Sequence, residues 1–250
     1  MDAHLIRHSG PLESPMPTPR ELIAANVAHI RERIAAAAQA AGRDPAEIKL
    51  VAVSKYVDAA TAALLVDAGC RSFGEARPQQ LWEKAADPAL ASVEWHLIGR
   101  LQRNKIRRTL PLAALIHSVD SERLLAAIND EAAELGMTSR VLLEVNSSGD
   151  AAKQGFTSEE VRALLPMIPN YAHLEISGLM TMASLDGDDA VAQANFATLR
   201  TLRDELARNS PPNVTLPELS MGMSGDFEIA ISEGATIVRV GSSLFEGLLP

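Results

Sequence analysis

A lysine, an arginine and a set of serines and glycines carry the chemistry that this sequence offers. Lys55 follows the apolar run Leu50-Val51-Ala52-Val53, where a buried strand should end. Burying an ammonium group in an apolar setting is costly, so a lysine there needs a purpose. Arg239 interrupts a second apolar run, Ile237–Val240. An arginine inside such a run either snorkels outward or points into a polar mouth. Arg239 and Gly241 are two apart, so on a strand their directions coincide. Two loops rich in glycine and serine lie close by in sequence, Ser220-Met221-Gly222-Met223-Ser224 and Gly241-Ser242-Ser243. Glycine lets a backbone approach an anion, and serine hydroxyls add donors. Read alone, the same loops are equally a pair of turns with serine caps, Ser224 capping the helix that follows.

An amine, a cation and an anion cradle together suit a ligand with an aldehyde, a ring nitrogen and a phosphate. Pyridoxal 5′-phosphate has all three. Desolvation favours the neutral form of an amine, and a neutral amine condenses with an aldehyde. An arginine facing the ring nitrogen keeps that nitrogen unprotonated, whereas an aspartate protonates it.

Hydrophobic periodicity supplies the elements that must position these groups. Strands are predicted over 48–54, 71–74, 94–98, 114–119, 140–145, 174–181, 217–220 and 236–241. Helices are predicted over 58–68, 77–86, 103–109, 121–135, 157–167, 189–208 and 224–233. Several strand candidates are continuous apolar runs, as in parallel sheets covered on both faces. Strands alternating with helices in this number point to a single (β/α)8 TIM barrel. A doubly wound open sheet is the competitor, and no Gly-rich dinucleotide loop follows the first strand to support it. In a barrel, chemistry gathers at the C-terminal strand ends, and phosphate sites favour the loops after strands seven and eight. The residues at those ends are Lys55, Glu75, Gly99, Asp120, Asn146, Thr181, Ser220 and Gly241.

An additional N-terminal helix precedes the first strand. Thr18 is a suitable N-cap, Pro19 takes the first helical position and Glu21 completes a capping box. Leu22, Ile23, Val27, Ile30 and Ile34 recur at helical spacing, and Gly42 is a stop signal. Residues 1–17 hold Ser, Pro and Gly without a sustained period, and a disordered extension is expected there, with the barrel domain over 18–250.

Composition narrows the classes. With 23 basic and 32 acidic residues the net charge is −9, which disfavours nucleic acid and anionic membranes as partners. The single cysteine, Cys70, allows no intramolecular disulfide and fits a reducing, cytoplasmic setting. No zinc-ligand spacing, signal-peptide core or membrane-length apolar run is visible.

The segments "LVAVSK", "FGEARPQQLWEK", "WHLIGRLQRNK", "SVDS", "VLLEVNSSGDAAKQGF", "ISGLMTM", "LSMGMSGDFEIAI" and "GATIVRVGSSLFEG" occur in this order. Together they resemble the motifs of the pyridoxal phosphate homeostasis proteins, single-domain barrels of the alanine-racemase type. The resemblance runs from about Glu21 to Gly247. It implies that Lys55 holds pyridoxal 5′-phosphate covalently as a Schiff base. It implies that Ser220, Ser224, Gly241 and Ser242 bind the phosphate and that Arg239 faces the pyridine nitrogen. It also implies a cofactor holder acting in vitamin B6 and amino-acid homeostasis, with B6 vitamers as ligands, PLP-requiring apoenzymes as candidate recipients and no robust catalysis.

The sequence departs from the family pattern in places. Gly74-Glu75-Ala76 replaces a usual Gly-Glu-Asn, Gln79-Gln80 replaces a common Gln-Glu pair, and Arg100 stands where His or Pro is frequent. The alternative to a holder is a low-activity PLP-dependent racemase or lyase. A racemase of this type takes a second acid/base from a partner subunit's extra β domain. The chain stops soon after strand eight, at Pro250, so a non-catalytic monomer is expected. Elsewhere, His96 is expected as a core histidine and Glu75 as the organiser of the strand-two loop. The basic run Arg100–Arg108 reads as a solvated face, and Cys70, Trp82 and Trp95 as packing residues.

Overall fold

Thr18 opens the first helix as its capping box requires. In α1 (Pro19–Ala40) the Thr18 hydroxyl accepts the Glu21 N–H, and the Glu21 carboxylate accepts the Thr18 N–H. Ile23, Val27, Ile30, Ile34 and Ala38 form its buried stripe. Gly42, at φ +69°, takes the left-handed position past the helix end, where its N–H and that of Arg43 satisfy the last carbonyls. The structure, a computed structural model, describes residues 16–149, 154–184, 187–210 and 214–248. The extension expected over 1–17 lies outside the described residues up to residue 15.

Eight parallel strands then close on themselves in sequence order. They are β1 (Lys49–Val53), β2 (Ser72–Glu75), β3 (Glu94–Leu97), β4 (Ala113–Val119), β5 (Ser139–Glu144), β6 (Leu174–Met180), β7 (Glu218–Ser220) and β8 (Ile237–Val240). The remaining helices are α2 (Ala59–Asp67), α3 (Pro78–Ala85), α4 (Ile106–Thr109), α5 (Glu122–Glu134), α6 (Ser158–Leu164), α7 (Asp189–Asn209) and α8 (Phe227–Ser232). This is the (β/α)8 barrel that the alternation of runs predicts. Closure comes from β8 pairing with β1, where Val51 lies opposite Arg239.

The differences from the sequence reading are local and have physical causes. The predicted helix over 103–109 divides into a 3-10 turn, Arg103–Lys105, and the single turn of α4. The helix over 157–167 gives way after Leu164 to a 3-10 stretch, Leu165–Asn170, because Pro166 and Pro169 have no N–H to donate. Ser224 does not cap α8. Asp226 precedes that helix, its carboxylate accepts the Met223 N–H, and its own N–H returns to the Met223 carbonyl. That closed turn uses up residues 223–226 and delays the helix.

Two apolar regions result. The larger fills the space between the sheet and the helices, with Phe73, Leu97, Phe196 and Phe227 fully buried. The smaller lies inside the barrel and consists of Val51, Leu115, Leu142, Met180 and Ile237. Phe73 packs edge-on against Trp95 with ring centroids 5.7 Å apart. Phe73→Ala should therefore cost about 3–5 kcal/mol. A loss of unfolding free energy in urea of less than about 1 kcal/mol would contradict this packing assignment.

Candidate functional site

The strand-one lysine stands on a buried ionic foundation. Lys55 is half-buried just past β1, with Nζ 4.7 Å from the centre of the Tyr56 ring. Beneath it, the buried side chain of Lys84 reaches in from α3. Its Nζ donates to the Ser54 carbonyl at 2.6 Å and to Glu75 Oε1 at 2.5 Å. The Ser54 hydroxyl donates to the same Glu75 oxygen at 2.7 Å. Gln80 Nε2 adds a bond of 3.4 Å to the Lys55 carbonyl. The ends of β1 and β2 and the helix α3 are thus tied together directly below Lys55, and Glu75 does organise the strand-two end.

The glycine-serine loops after β7 and β8 reach the end of β1 from the other side. Gly241 follows β8, and a side chain there would press on Val53, with Val53 Cβ at 3.3 Å. Its N–H donates to Ser224 Oγ at 3.2 Å, so the two loops are joined. Gly222 sits at φ +91°, and a side-chain carbon would fall 2.6 Å from Ala230 Cβ. Ser242 is exposed and opens the 3-10 turn Ser242–Phe245, whose first bond is Leu244 N–H to the Gly241 carbonyl. The N–H groups of Ser242 and Ser243 precede that bond, as orphan donors do at any helical start.

Arg239 and Ser220 lie one layer deeper. Arg239 is buried inside the barrel, as its parity with Gly241 predicts. Its Nη1 donates to Ser220 Oγ at 2.6 Å and its Nη2 to the Thr181 carbonyl at 3.0 Å. Burial pulls its pKa down to about 10, against the opposing charges of Asp226 and Glu144. Ser220 is fully buried, and its second contact is His117 Nδ1 at 2.8 Å. His117 Nε2 is 2.8 Å from His96 Nδ1, and His96 Nε2 is 2.8 Å from Glu94 Oε1. Lys49 Nζ meets the same carboxylate oxygen at 3.0 Å. A continuous polar line therefore runs through the barrel from the N-terminal face to the mouth. Burial lowers the pKa of both histidines, and His96, followed by Lys49, holds Glu94 down at about 2.

Of the six residues read from sequence, Lys55, Ser224, Gly241 and Ser242 gather where β1, β7 and β8 end. Arg239 and Ser220 back them from inside. Sequence reading did not find Lys84, His117 or Glu94, and it placed Thr181 at a strand end without the role of its carbonyl as an acceptor for Arg239. Its one available signal was parity, since His117 shares a strand face with the inward Leu115. His96 is a satisfied core histidine, as expected. The basic run is solvated, with its arginines exposed, but it is divided between a 3-10 turn and α4 rather than set on one helix. Arg107 pairs with Glu131 and Glu134, and Arg108 lies over Trp82 at 4.3 Å. Arg100, Arg103 and Arg123 line an open cavity of about 600 Å³ near the ends of β3 and β4, so positive charge does stand at the mouth. A second cavity of about 290 Å³ opens between Glu144, Asn146, Met182 and Met223. Among the described residues no His/Cys/Asp/Glu group could hold a metal ion, and no helix is long and apolar enough to cross a membrane.

The chain belongs to the family of the alanine racemase N-terminal domain, whose family model matches residues 25–248. It is similar to the pyridoxal phosphate homeostasis protein of Pseudomonas aeruginosa, 40% identical over 223 residues, spanning 89% of this chain and 94% of that one. It also resembles the solved structure of PipY from Synechococcus elongatus with PLP bound, at 38% identity and a TM-score of 0.79, covering 89% of this chain and 99% of that one. An alanine racemase from Streptomyces coelicolor shares the fold, at 17% identity and a TM-score of 0.69, over 90% of this chain and 58% of the racemase. The family resemblance carried by the sequence motifs is borne out.

Two outcomes follow from this geometry. Lys84→Met leaves the Glu75 carboxylate buried without its cation and should cost about 3–5 kcal/mol, most of it regained in Lys84→Met/Glu75→Met. Equal destabilisation of the single and double variants in guanidinium would refute the pairing. The histidines give a pH test. Both fold with pKa values lowered from 6.5, so below that pH the unfolded chain binds more protons and stability falls as pH falls. His117→Leu should flatten this limb by up to about 1.4 kcal/mol per pH unit, seen as Tm against pH.

Proposed function

We propose that this protein holds pyridoxal 5′-phosphate covalently on Lys55 and gives it up again, as a carrier in vitamin B6 homeostasis rather than an enzyme of amino-acid turnover. The observation that carries the reading is that the β1–β8 pairing sets the strand end before Lys55 beside the joined Ser224–Gly241 loops, with a buried arginine one layer deeper. The donor set fits the group. Lys55 offers the amine, the joined loops offer hydroxyl and N–H donors to a phosphate, and Gly222 and Gly241 let those loops pack closely on Ala230 and Val53. Arg239 brings a cation with no carboxylate in hydrogen-bond contact among the described residues, which suits an unprotonated ring nitrogen. The names of the relatives and the PLP-bound neighbour support the same ligand.

Condensation of a lysine amine with the cofactor's aldehyde expels one water and is reversible, which suits capture and release. In this reading Ser224, Gly241 and Ser242 bind the phosphate, and Ser220 serves Arg239 from behind. An unprotonated pyridine is a poor electron sink, so Arg239 favours holding over carbanion chemistry. The protein acts as a cytoplasmic monomer that exchanges B6 vitamers with PLP-requiring apoenzymes.

The test is direct. Wild type incubated with pyridoxal 5′-phosphate should develop the visible band of a protonated Schiff base. Borohydride should fix the cofactor on Lys55 by peptide mass spectrometry, and Lys55→Ala should do neither. Absence of label on Lys55 sinks the proposal. Sustained racemisation or elimination of an amino acid, lost in Lys55→Ala, moves the protein to the racemase or lyase class.

A further inference from the structure

We propose that Glu94, on the far side of the barrel from Lys55, is a positioning residue that acts through His96 and His117 to fix the direction of the Ser220 hydroxyl and so the seat of Arg239. The evidence is a one-way chain of hydrogen bonds. Glu94 is a carboxylate at neutral pH and can only accept, so His96 Nε2 carries a hydrogen. Neutral His96 then presents a bare Nδ1, which takes the hydrogen of His117 Nε2. Neutral His117 presents a bare Nδ1 in turn, and the Ser220 hydroxyl donates to it. Ser220 is left with lone pairs facing Arg239, which has only hydrogens to give. Every contact holds one hydrogen and no atom is left over.

The charges around the chain keep it this way. The charges of Lys49 on β1 and Arg140 on β5 act on His96 together with Glu94. Those of Arg239 and Lys49 act on His117, which contacts His96. Asp226 and Glu144 act on Arg239. Cations and burial therefore oppose an imidazolium at either histidine. The reverse orientation needs a hydrogen on Glu94 or a second one on a histidine. It would aim the Ser220 hydroxyl away from His117 and free it to turn toward Arg239. Among the described residues Arg239 has no carboxylate in hydrogen-bond contact to fall back on, and its hydrogen bonds go to Ser220 Oγ and the Thr181 carbonyl.

A polar line in this place is not needed for packing. Barrel interiors are ordinarily filled by branched apolar side chains, and the neighbouring layer here is Val51, Leu115, Leu142, Met180 and Ile237. A buried polar chain is tolerable only when fully satisfied, and the exposed carboxylate at its end sets its direction. The Lys49 ammonium pairs with Glu94 at the surface, where both side chains are partly exposed, so this contact adds little to stability.

The experiment has two arms. In cofactor-free protein, long-range 15N–1H correlation of the imidazoles should show His96 and His117 as neutral Nε2–H tautomers at neutral pH. Glu94→Ala should abolish the His96 preference, while Glu94→Gln, which keeps an acceptor oxygen, and Lys49→Met should retain it. In loaded protein, Glu94→Ala should weaken pyridoxal 5′-phosphate binding about three- to tenfold and shift the cofactor's absorption band, with Glu94→Gln close to wild type. An Nδ1–H tautomer or an imidazolium at either histidine overturns the proposal, as does Glu94→Ala binding and absorbing like wild type. The second arm rests on the Lys55 reading. If wild type takes up no cofactor, that reading falls, and the tautomers alone decide the relay.

Discussion

Val51 on the first strand lies opposite Arg239 on the last, and the backbone pairing around them closes the barrel. The candidate site exists only because of this seam. Lys55 and the Gly241 loop are far apart in the chain, yet each is the first residue or two past its strand, so pairing the strands pairs the ends. The seam also turns Arg239 inward. Its register partner Val51 belongs to the interior layer, so the arginine must share that interior and find acceptors there. It finds a hydroxyl from β7 and a carbonyl just beyond β6.

Two buried polar systems flank the seam, and they do different work. The Lys84–Glu75–Ser54 cluster lies between sheet and helices and holds the turn that carries Lys55. It is an ion pair whose partners are worth little separately, because either one left alone in the interior is an uncompensated charge. The Glu94–His96–His117–Ser220 line lies inside the barrel and ends on Arg239. It contains one exposed charge and two buried neutral rings, so it transmits direction rather than charge. One system fixes where the amine stands, and the other fixes how the cation is held.

Much of this was legible in the residues. A lysine ending an apolar run, an arginine breaking one, and glycine-serine loops after the last two runs are local departures from pattern, and local departures can be read from one strand at a time. The capping box at Thr18 and the stop at Gly42 are legible for the same reason. The boundary errors at Ser224 and around Pro166 came from local competition, a side chain taking an N–H that a helix would have used and prolines withholding one. Lys84, His117 and Glu94 were not legible. Each gains its role from a partner on another strand or helix, and apart from the strand parity that turns His117 inward, nothing in its own neighbourhood distinguishes it from a surface lysine, a core histidine or a strand-edge glutamate.

The sequence by itself determined the alternation of runs, and with it the barrel, the set of residues at its mouth and the inward parity of Arg239, because period and parity are properties of single segments. Only the tertiary structure decided which side chains face one another across the closed sheet. Hydrogen bonds such as His117 to Ser220 span 103 positions of the chain, and such a pairing is set by barrel register, which no segment encodes alone.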